Sequence, residues 1–183
     1  YYNNNAQAFY DRTINADISN SYEAFLKKLP SKAHILDAGC GVGRDSKYFL
    51  SKGYGVTAFD ASEEMVSIAS KETGLNVKKL MFQDMNFDEI FDGVWAQASL
   101  LHISYQETRE VYEGIYRALN PGGIFYASYK YGLDHMPTLE RDFWNMNEEN
   151  VKPYFEGIFD IIEIWTELDT RTKASPSQEG MWL

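Results

Sequence analysis

Ile35-Leu36-Asp37-Ala38-Gly39-Cys40-Gly41-Val42-Gly43-Arg44-Asp45-Ser46 is the stretch on which the fold turns. It begins as a short apolar strand from Ala33, ends that strand at Asp37, turns on three glycines and opens a helix. Glycines permit positive φ angles and bring backbone close to a ligand. A helix N-terminus supplies free N–H groups and a partial positive charge suited to a carboxylate or phosphate. The spacing is G-x-G-x-G, whereas the dinucleotide fingerprint is G-x-G-x-x-G. Gly43 fits the first pattern, and Arg44 occupies the position where the second needs glycine. A ligand cradle and a tight structural turn both remain open on this motif alone.

Outward from the turn, the chain alternates strands with helices. Upstream, Tyr22, Phe25, Leu26 and Leu29 recur at helical spacing, and Pro30 ends that helix. A shorter helix is expected over Ala6–Thr13. Downstream, a helix reaches about Leu50 and closes at Gly53. A second strand, Gly55–Phe59, ends in Asp60. Ser62 caps a helix to about Lys71, with Gly74 beyond it. Further strands are expected over Asn76–Phe82 and Gly93–Gln97. Ser104 and Glu107 form a capping box for a helix carrying Val111, Ile115 and Ala118. Asn120-Pro121-Gly122-Gly123 turns the chain into a strand over Ile124–Tyr129. A helix over Glu148–Phe155 is capped by Asn147 and shortened by Pro153. A long strand follows over Phe159–Glu167, and Gly180-Met181-Trp182-Leu183 starts one more. This alternation marks a parallel α/β sheet. No repeat or linker divides it, so one domain is expected.

Composition narrows the function. The 183 residues carry 17 basic and 27 acidic side chains, a net charge of −10. No basic cluster exceeds Lys27-Lys28 or Lys78-Lys79, so no footprint for nucleic acid is expected and a small substrate is favoured. No run is apolar enough for a membrane span, and the first residues lack a leader pattern. Cys40 is the single cysteine, which excludes an internal disulfide and points to a reducing cytoplasm.

Asp60 is the second site candidate. An acidic residue ending the second strand of such a βαβ unit can accept both hydroxyls of an adenosine ribose; a solvated turn aspartate is the alternative. Paired with the glycine turn, the ligand reading gains. With these stand Phe59-Asp60-Ala61-Ser62, Phe82-Gln83-Asp84-Met85, the run Phe91 to His102 and Leu119-Asn120-Pro121-Gly122-Gly123. In that order the motifs resemble those of class I S-adenosylmethionine-dependent methyltransferases over nearly the whole chain, above all the small bacterial tellurite-resistance type.

The resemblance implies a Rossmann-like three-layer α/β sandwich. Its sheet would be mostly parallel and seven-stranded, the last strand incomplete at Met181. Residues 1–30 would form an N-terminal helical lid and 31–183 the core. It also implies roles. Gly39, Cys40, Gly41, Gly43 and Arg44 would lie against the methionine part of S-adenosylmethionine, with Asp37 holding its ammonium. Asp60, with Ala61 and Ser62, would hold the ribose. Gln83, Asp84 and the Met85 N–H would meet adenine, with Met65 as an apolar wall beside Leu100. Ala98 and Ser99 would border the reactive side, and Tyr10 and Thr13 the inner face of the lid.

The acceptor side is read from the residues at the carboxyl edge of the sheet. His102 is a candidate general base, or a histidine bonded at a helix start. Tyr129 and Lys130 could bind an anionic or soft acceptor, joined by Arg141 and Trp165. His34 and His135 have no evident partner. No metal site and no Asn/Asp-Pro-Pro-aromatic motif follows the fourth strand. The expected reaction is direct SN2 methyl transfer to a small molecule, which proximity and desolvation can drive. A soft acceptor would need no base. The rivals are a non-catalytic protein that binds the same cofactor and an NAD-dependent oxidoreductase. Oligomeric state is not legible in the sequence.

Overall fold

A computed structural model of the chain describes residues 2–132, 135–137, 142–168 and 181–182. Its centre is a five-stranded parallel sheet in the order β3-β2-β1-β4-β5. The strands are β1 (His34–Ala38), β2 (Gly55–Asp60), β3 (Lys78–Lys79), β4 (Phe91–Ala96) and β5 (Leu119–Ala127). Strand order reverses between β1 and β4, the switch point where ligands bind in open α/β sheets. Helices α1 (Tyr2–Thr13), α2 (Ser19–Leu26), α3 (Arg44–Ser51), α4 (Glu63–Thr73) and α5 (Tyr105–Ala118) connect and cover it. The Rossmann-like α/β class is therefore the fold.

Two apolar layers hold the sheet. On one face Tyr22 and Phe25 of α2 and Phe49 of α3 pack around Ile35 and the fully buried Trp95. Gly93 permits this: a Cβ there would stand 2.7 Å from Phe25. On the other face Val111, Tyr112 and Ile115 of α5 cover Leu36, Val94 and Phe91. Helix ends follow the sequence signals. Ser62 Oγ accepts from the Met65 N–H, and Gly74 closes α4 at φ 75°.

Several boundaries move. β3 is confined to Lys78–Lys79, and Phe82–Asp84 forms a single 3₁₀ turn. The Asn120-Pro121-Gly122-Gly123 turn is an irregularity inside β5, which pairs at Leu119 and again from Ile124. Asn147 Oδ1 accepts from the Glu149 and Asn150 N–H groups at 2.9 Å, yet α6 is only Lys152–Phe155, with Pro153 in its first turn. Ser104 lends no side-chain cap; its hydroxyl bonds the Glu107 carboxylate instead.

The largest correction concerns Phe159–Glu167. Only Glu167–Leu168 (β8) is strand, paired antiparallel with Met181–Trp182 (β9). Strands β6 (His135–Pro137) and β7 (Asp142–Trp144) pair with each other. Among the described residues these short strands do not join the main sheet, which holds five strands, with the later strands paired apart from it. The β-branched run expresses a propensity that needs a ladder partner, and Ile162 is left 66% exposed.

Candidate active site

The carboxyl ends of β1, β2, β4 and β5 open into one cleft of about 1060 Å³. Gly39, Gly41 and Gly43 all adopt positive φ, at 76°, 55° and 84°. The Gly39 and Cys40 N–H groups both donate to the Phe59 carbonyl, at 3.0 and 2.9 Å, which fastens the turn to β2. A Cβ at Gly39 would stand 2.5 Å from Ser99 Cβ, so only glycine lets the turn meet the loop after β4. Ser99 Oγ closes that contact by donating to the Ala38 carbonyl at 2.8 Å.

Asp60 faces the cleft at the end of β2. Its Oδ2 accepts from the Gly41 N–H at 2.8 Å and its Oδ1 from the Ser62 N–H at 2.9 Å. Burial raises its pKa, partly offset by the backbone N–H groups of Ser62, Gly41 and Ala61. A carboxylate has about four acceptor sites, so acceptor capacity remains beside these backbone bonds. Ala98, past β4, holds φ at 51°, and its N–H donates to Ser128 Oγ at 2.8 Å. A non-glycine residue in that region stores strain, here at the cleft edge.

Below the turn lies a buried charged cluster. Asp45 Oδ1 accepts from Arg44 Nε at 2.6 Å and Tyr22 Oη at 2.5 Å. Its Oδ2 accepts from Trp95 Nε1 at 2.8 Å and Arg44 Nη2 at 3.1 Å. Burial opposes its ionisation, but the Arg44 charge and these hydrogen bonds hold its carboxyl below the usual range. Arg44 Nη1 also donates to the Thr13 carbonyl at 3.3 Å, tying α1 to α3.

Asp37 accepts from Ser46 Oγ. Burial, then the neighbouring Asp45 charge, pushes its pKa up to about 8. A carboxyl with a raised folded pKa contributes stability below its unfolded pKa, and that stability is lost as pH rises towards 8. We therefore expect wild-type unfolding free energy to fall as pH rises from about 4 towards 8, with this group as a source of the slope. Asp37→Asn should flatten that slope in urea titrations without cofactor. An identical slope in both proteins would remove Asp37 as its source.

The cleft gathers most of the expected residues. Thr13, Gly39, Cys40, Gly41 and Arg44 line it, as do Asp60, Ala61, Ser62, Met65, Gln83, Ala98 and Ser99. His102 and Lys130 stand on the same wall, where Lys130 Nζ lies 3.8 Å above the Phe143 ring and the His102 ring 5.2 Å from it.

Other expected residues lie off the wall. Tyr10 hydrogen-bonds to Glu72 of α4. Gly43 packs on α4, where a Cβ would meet Thr73 and Ala69 at 3.0 and 3.1 Å. Asp37 is sealed beneath the turn, and Met85 is in the core. Asp84 is exposed, and Leu80, Met81, Phe82 and Gln83 form the wall in its place. Tyr129 is buried and bonds the Tyr112 hydroxyl; burial pushes its pKa well up. It sits one residue from the cleft-facing Ser128 and Lys130, and alternation along the chain turns it into the core.

His34 bonds Thr57 Oγ1 through Nε2 at 2.9 Å. Burial, with the Asp37, Asp60 and Asp45 charges, pushes the Cys40 thiol well up, unlike a nucleophile. Arg141 lies outside the described residues, and His135 is described as backbone only. Among the described residues no group of three or more His, Cys, Asp or Glu side chains could hold a metal, and no helix is long and apolar enough to cross a membrane.

Asp45, Gln97, Tyr126, Phe143 and Glu167 also line the cleft, without a local signal in the sequence that marks them. Asp45 and Gln97 lie inside quoted motifs, but nothing in the spacing said which way they point. Tyr126 and Glu167 reach the cleft only through packing.

Comparison with known proteins agrees with this geometry. Residues 35–123 match the family described as a methyltransferase domain. Those residues and the switch-point cleft make the chain similar to the class I S-adenosylmethionine-dependent methyltransferases. Within that class it resembles the tellurite-resistance type: a probable S-adenosyl-L-methionine-dependent methyltransferase TehB of Haemophilus influenzae is 22% identical over 134 residues, 70% of this chain and 47% of that one. An uncharacterized methyltransferase of Staphylococcus carnosus is 25% identical over 189 residues, covering 95% of this chain and 91% of its own. Of two further relatives the chain spans only 42% and 53%. Among solved structures, a 1,6-didemethyltoxoflavin-N1-methyltransferase of Burkholderia thailandensis shares the fold with a TM-score of 0.73 at 20% identity, over 99% of this chain and 80% of that one.

Proposed function

We propose that the chain transfers a methyl group from S-adenosylmethionine directly to a small-molecule acceptor. The observation that carries this reading is the shared wall: the glycine turn and the braced Asp60 carboxylate open into the same cleft as Gln97, His102, Ser128 and Lys130. The donor set suits the cofactor. Asp60 offers paired acceptors for a ribose, Leu80 to Gln83 and Met65 an apolar slot for a base, and the open turn at Gly39–Gly41 a place for the methionine end. The volume exceeds that of most single-ligand pockets, which run to roughly 1,000 Å³, and leaves room for an acceptor.

When bound, the sulfonium supplies an already activated methyl group. The residues of this chain then have to align the acceptor and exclude water. His102 stands where it can receive a proton from an acceptor that must lose one. Residues 1–30 serve as the lid: Arg12, Thr13 and residues 16–21 form one cleft wall, and the Arg44 bond to Thr13 holds α1 down. Hydrogen exchange in α1 should slow when S-adenosylhomocysteine binds; equal protection in both states would reduce α1 to a structural N-terminus. The small-molecule reading is supported by the acidic surface and by the small-molecule substrate named for the Burkholderia enzyme. A soluble cytoplasmic setting without nucleic acid or membrane partner completes the proposal.

Titration calorimetry tests the core of it. S-adenosylmethionine and S-adenosylhomocysteine should bind, and NAD should not. Asp60→Ala should weaken both by about tenfold or more, the worth of a charge-assisted hydrogen bond. NAD binding with none from S-adenosylmethionine would overturn the reading in favour of an oxidoreductase. Tight cofactor binding without methyl transfer to any of a panel of thiols, amines, phenols and heterocycles would favour a non-catalytic binding protein.

A further inference from the structure

On the β4–β5 side of the cleft, a second polar floor stands apart from Asp60. In the order β2-β1-β4-β5 it lies three strands away, about 14 Å at the usual strand spacing. Tyr126 of β5 donates its hydroxyl to Gln97 Oε1 at 2.8 Å. The oxygen of that amide is thereby engaged, while its NH₂ group still carries donors. Lining the same cleft, Glu167 Oε1 accepts from Trp165 Nε1 at 2.9 Å, and Ser21 Oγ approaches the two carboxylate oxygens at 3.4 and 3.5 Å. A carboxylate has about four acceptor sites, so Glu167 can still accept. Aromatic rings support both groups: Tyr126 stacks on the buried Trp95 at 4.0 Å and 13°, with Trp165 5.9 Å away.

We infer that this floor is the acceptor subsite and that it selects a planar, uncharged nitrogen heterocycle through its ring edge. The inference rests on the methyltransferase reading of the Asp60 side. A ring N–H beside a carbonyl or imine nitrogen donates to Glu167 and accepts from the Gln97 amide, while its face lies on Trp165. Leaving either partner unmatched in a desolvated cleft costs binding, so an acceptor without the N–H is refused. An oxyanion or thiolate would meet the like charge of Glu167, with Asp17 on the same cleft wall. Two cations of the cleft offer it little, because Asp45 already holds the Arg44 guanidinium and the Lys130 ammonium lies over the Phe143 ring. A phenol carries its donor and its acceptor on one atom, whereas the heterocycle offers them on neighbouring ring positions.

Equilibrium dialysis on the full chain, saturated with S-adenosylhomocysteine at pH 7, tests this with lumazine and xanthine against 1,3-dimethyllumazine and caffeine, and with 2-naphthol and selenite as other chemistries. Lumazine or xanthine should bind, and the N-methylated partner about tenfold or more weaker. Glu167→Gln should remove most of that discrimination while leaving S-adenosylhomocysteine affinity and the melting temperature unchanged, since the amide oxygen still accepts from Trp165 and Ser21. Equal binding of a heterocycle and its N-methylated partner, no binding of any heterocycle, or tighter binding of naphthol or selenite would overturn the subsite while normal S-adenosylhomocysteine binding keeps the cofactor reading. Failure of S-adenosylhomocysteine itself to bind would overturn both.

Discussion

Gly39→Ala should lower the melting temperature by roughly 10 °C and abolish measurable binding of S-adenosylhomocysteine. Two costs add at this position. The residue holds φ at 76°, and a side chain in that conformation costs about 1–2 kcal/mol. The new methyl would also stand 2.5 Å from Ser99 Cβ, a contact no rotamer can relieve, and overpacking of this kind costs about 1–3 kcal/mol. At roughly 2–4 °C per kcal/mol for a domain of this size, the sum is a large shift. Relief must come from moving the turn away from the loop after β4, which opens the cradle between them. Gly53→Ala is the control. Its φ is 85°, but nothing lies within 4 Å of the added carbon, so it should cost only the conformational share and leave binding intact. Equal losses in the two variants would show that the close approach to Ser99 contributes nothing.

Asp45→Asn should destabilise the fold by about 3–5 kcal/mol, the usual cost of breaking a buried ion pair from one side. The carboxylate accepts from Arg44 of α3, Tyr22 of α2 and Trp95 of β4, and so ties together three elements that also pack through their rings. Asparagine keeps the volume but leaves the guanidinium, only 18% exposed, without its counter-charge. Burial alone would raise the Asp45 pKa; the Arg44 charge and the hydrogen bonds outweigh it and depress it. The sign follows. A depressed carboxyl contributes stability above its unfolded pKa and loses it as pH falls below about 4. The wild-type protein should therefore lose more stability than Asp45→Asn on going from pH 6 to pH 3, measured by urea unfolding. Parallel acid profiles would mean that the pair carries no net charge-dependent stability. Because Arg44 also reaches the Thr13 carbonyl, the variant should in addition loosen α1, read as faster hydrogen exchange there.

Much of this molecule is legible in its sequence. The strand–glycine–helix unit at Ile35–Ser46, the acid at the end of the second strand and the cap at Ser62 are local signals. Each depends on neighbours within a few residues, through φ preferences, helix-end hydrogen bonding and side-chain periodicity. They determined the α/β class, the switch-point site and the residues that face it from the glycine turn and from β2. Tertiary structure decided the rest. Tyr129 and Lys130 are adjacent and equally plausible in sequence, yet alternation along the chain past the end of β5 turns one into the core and the other into the cleft. The isoleucine run after Phe159 reads as a strand, but a strand exists only where a neighbour supplies the ladder. Asp45, Tyr126 and Glu167 gain their roles from partners distant along the chain. Sequence spacing carries no information about such partners, because the burial and hydrogen bonding that give them meaning arise only once separate elements pack against one another.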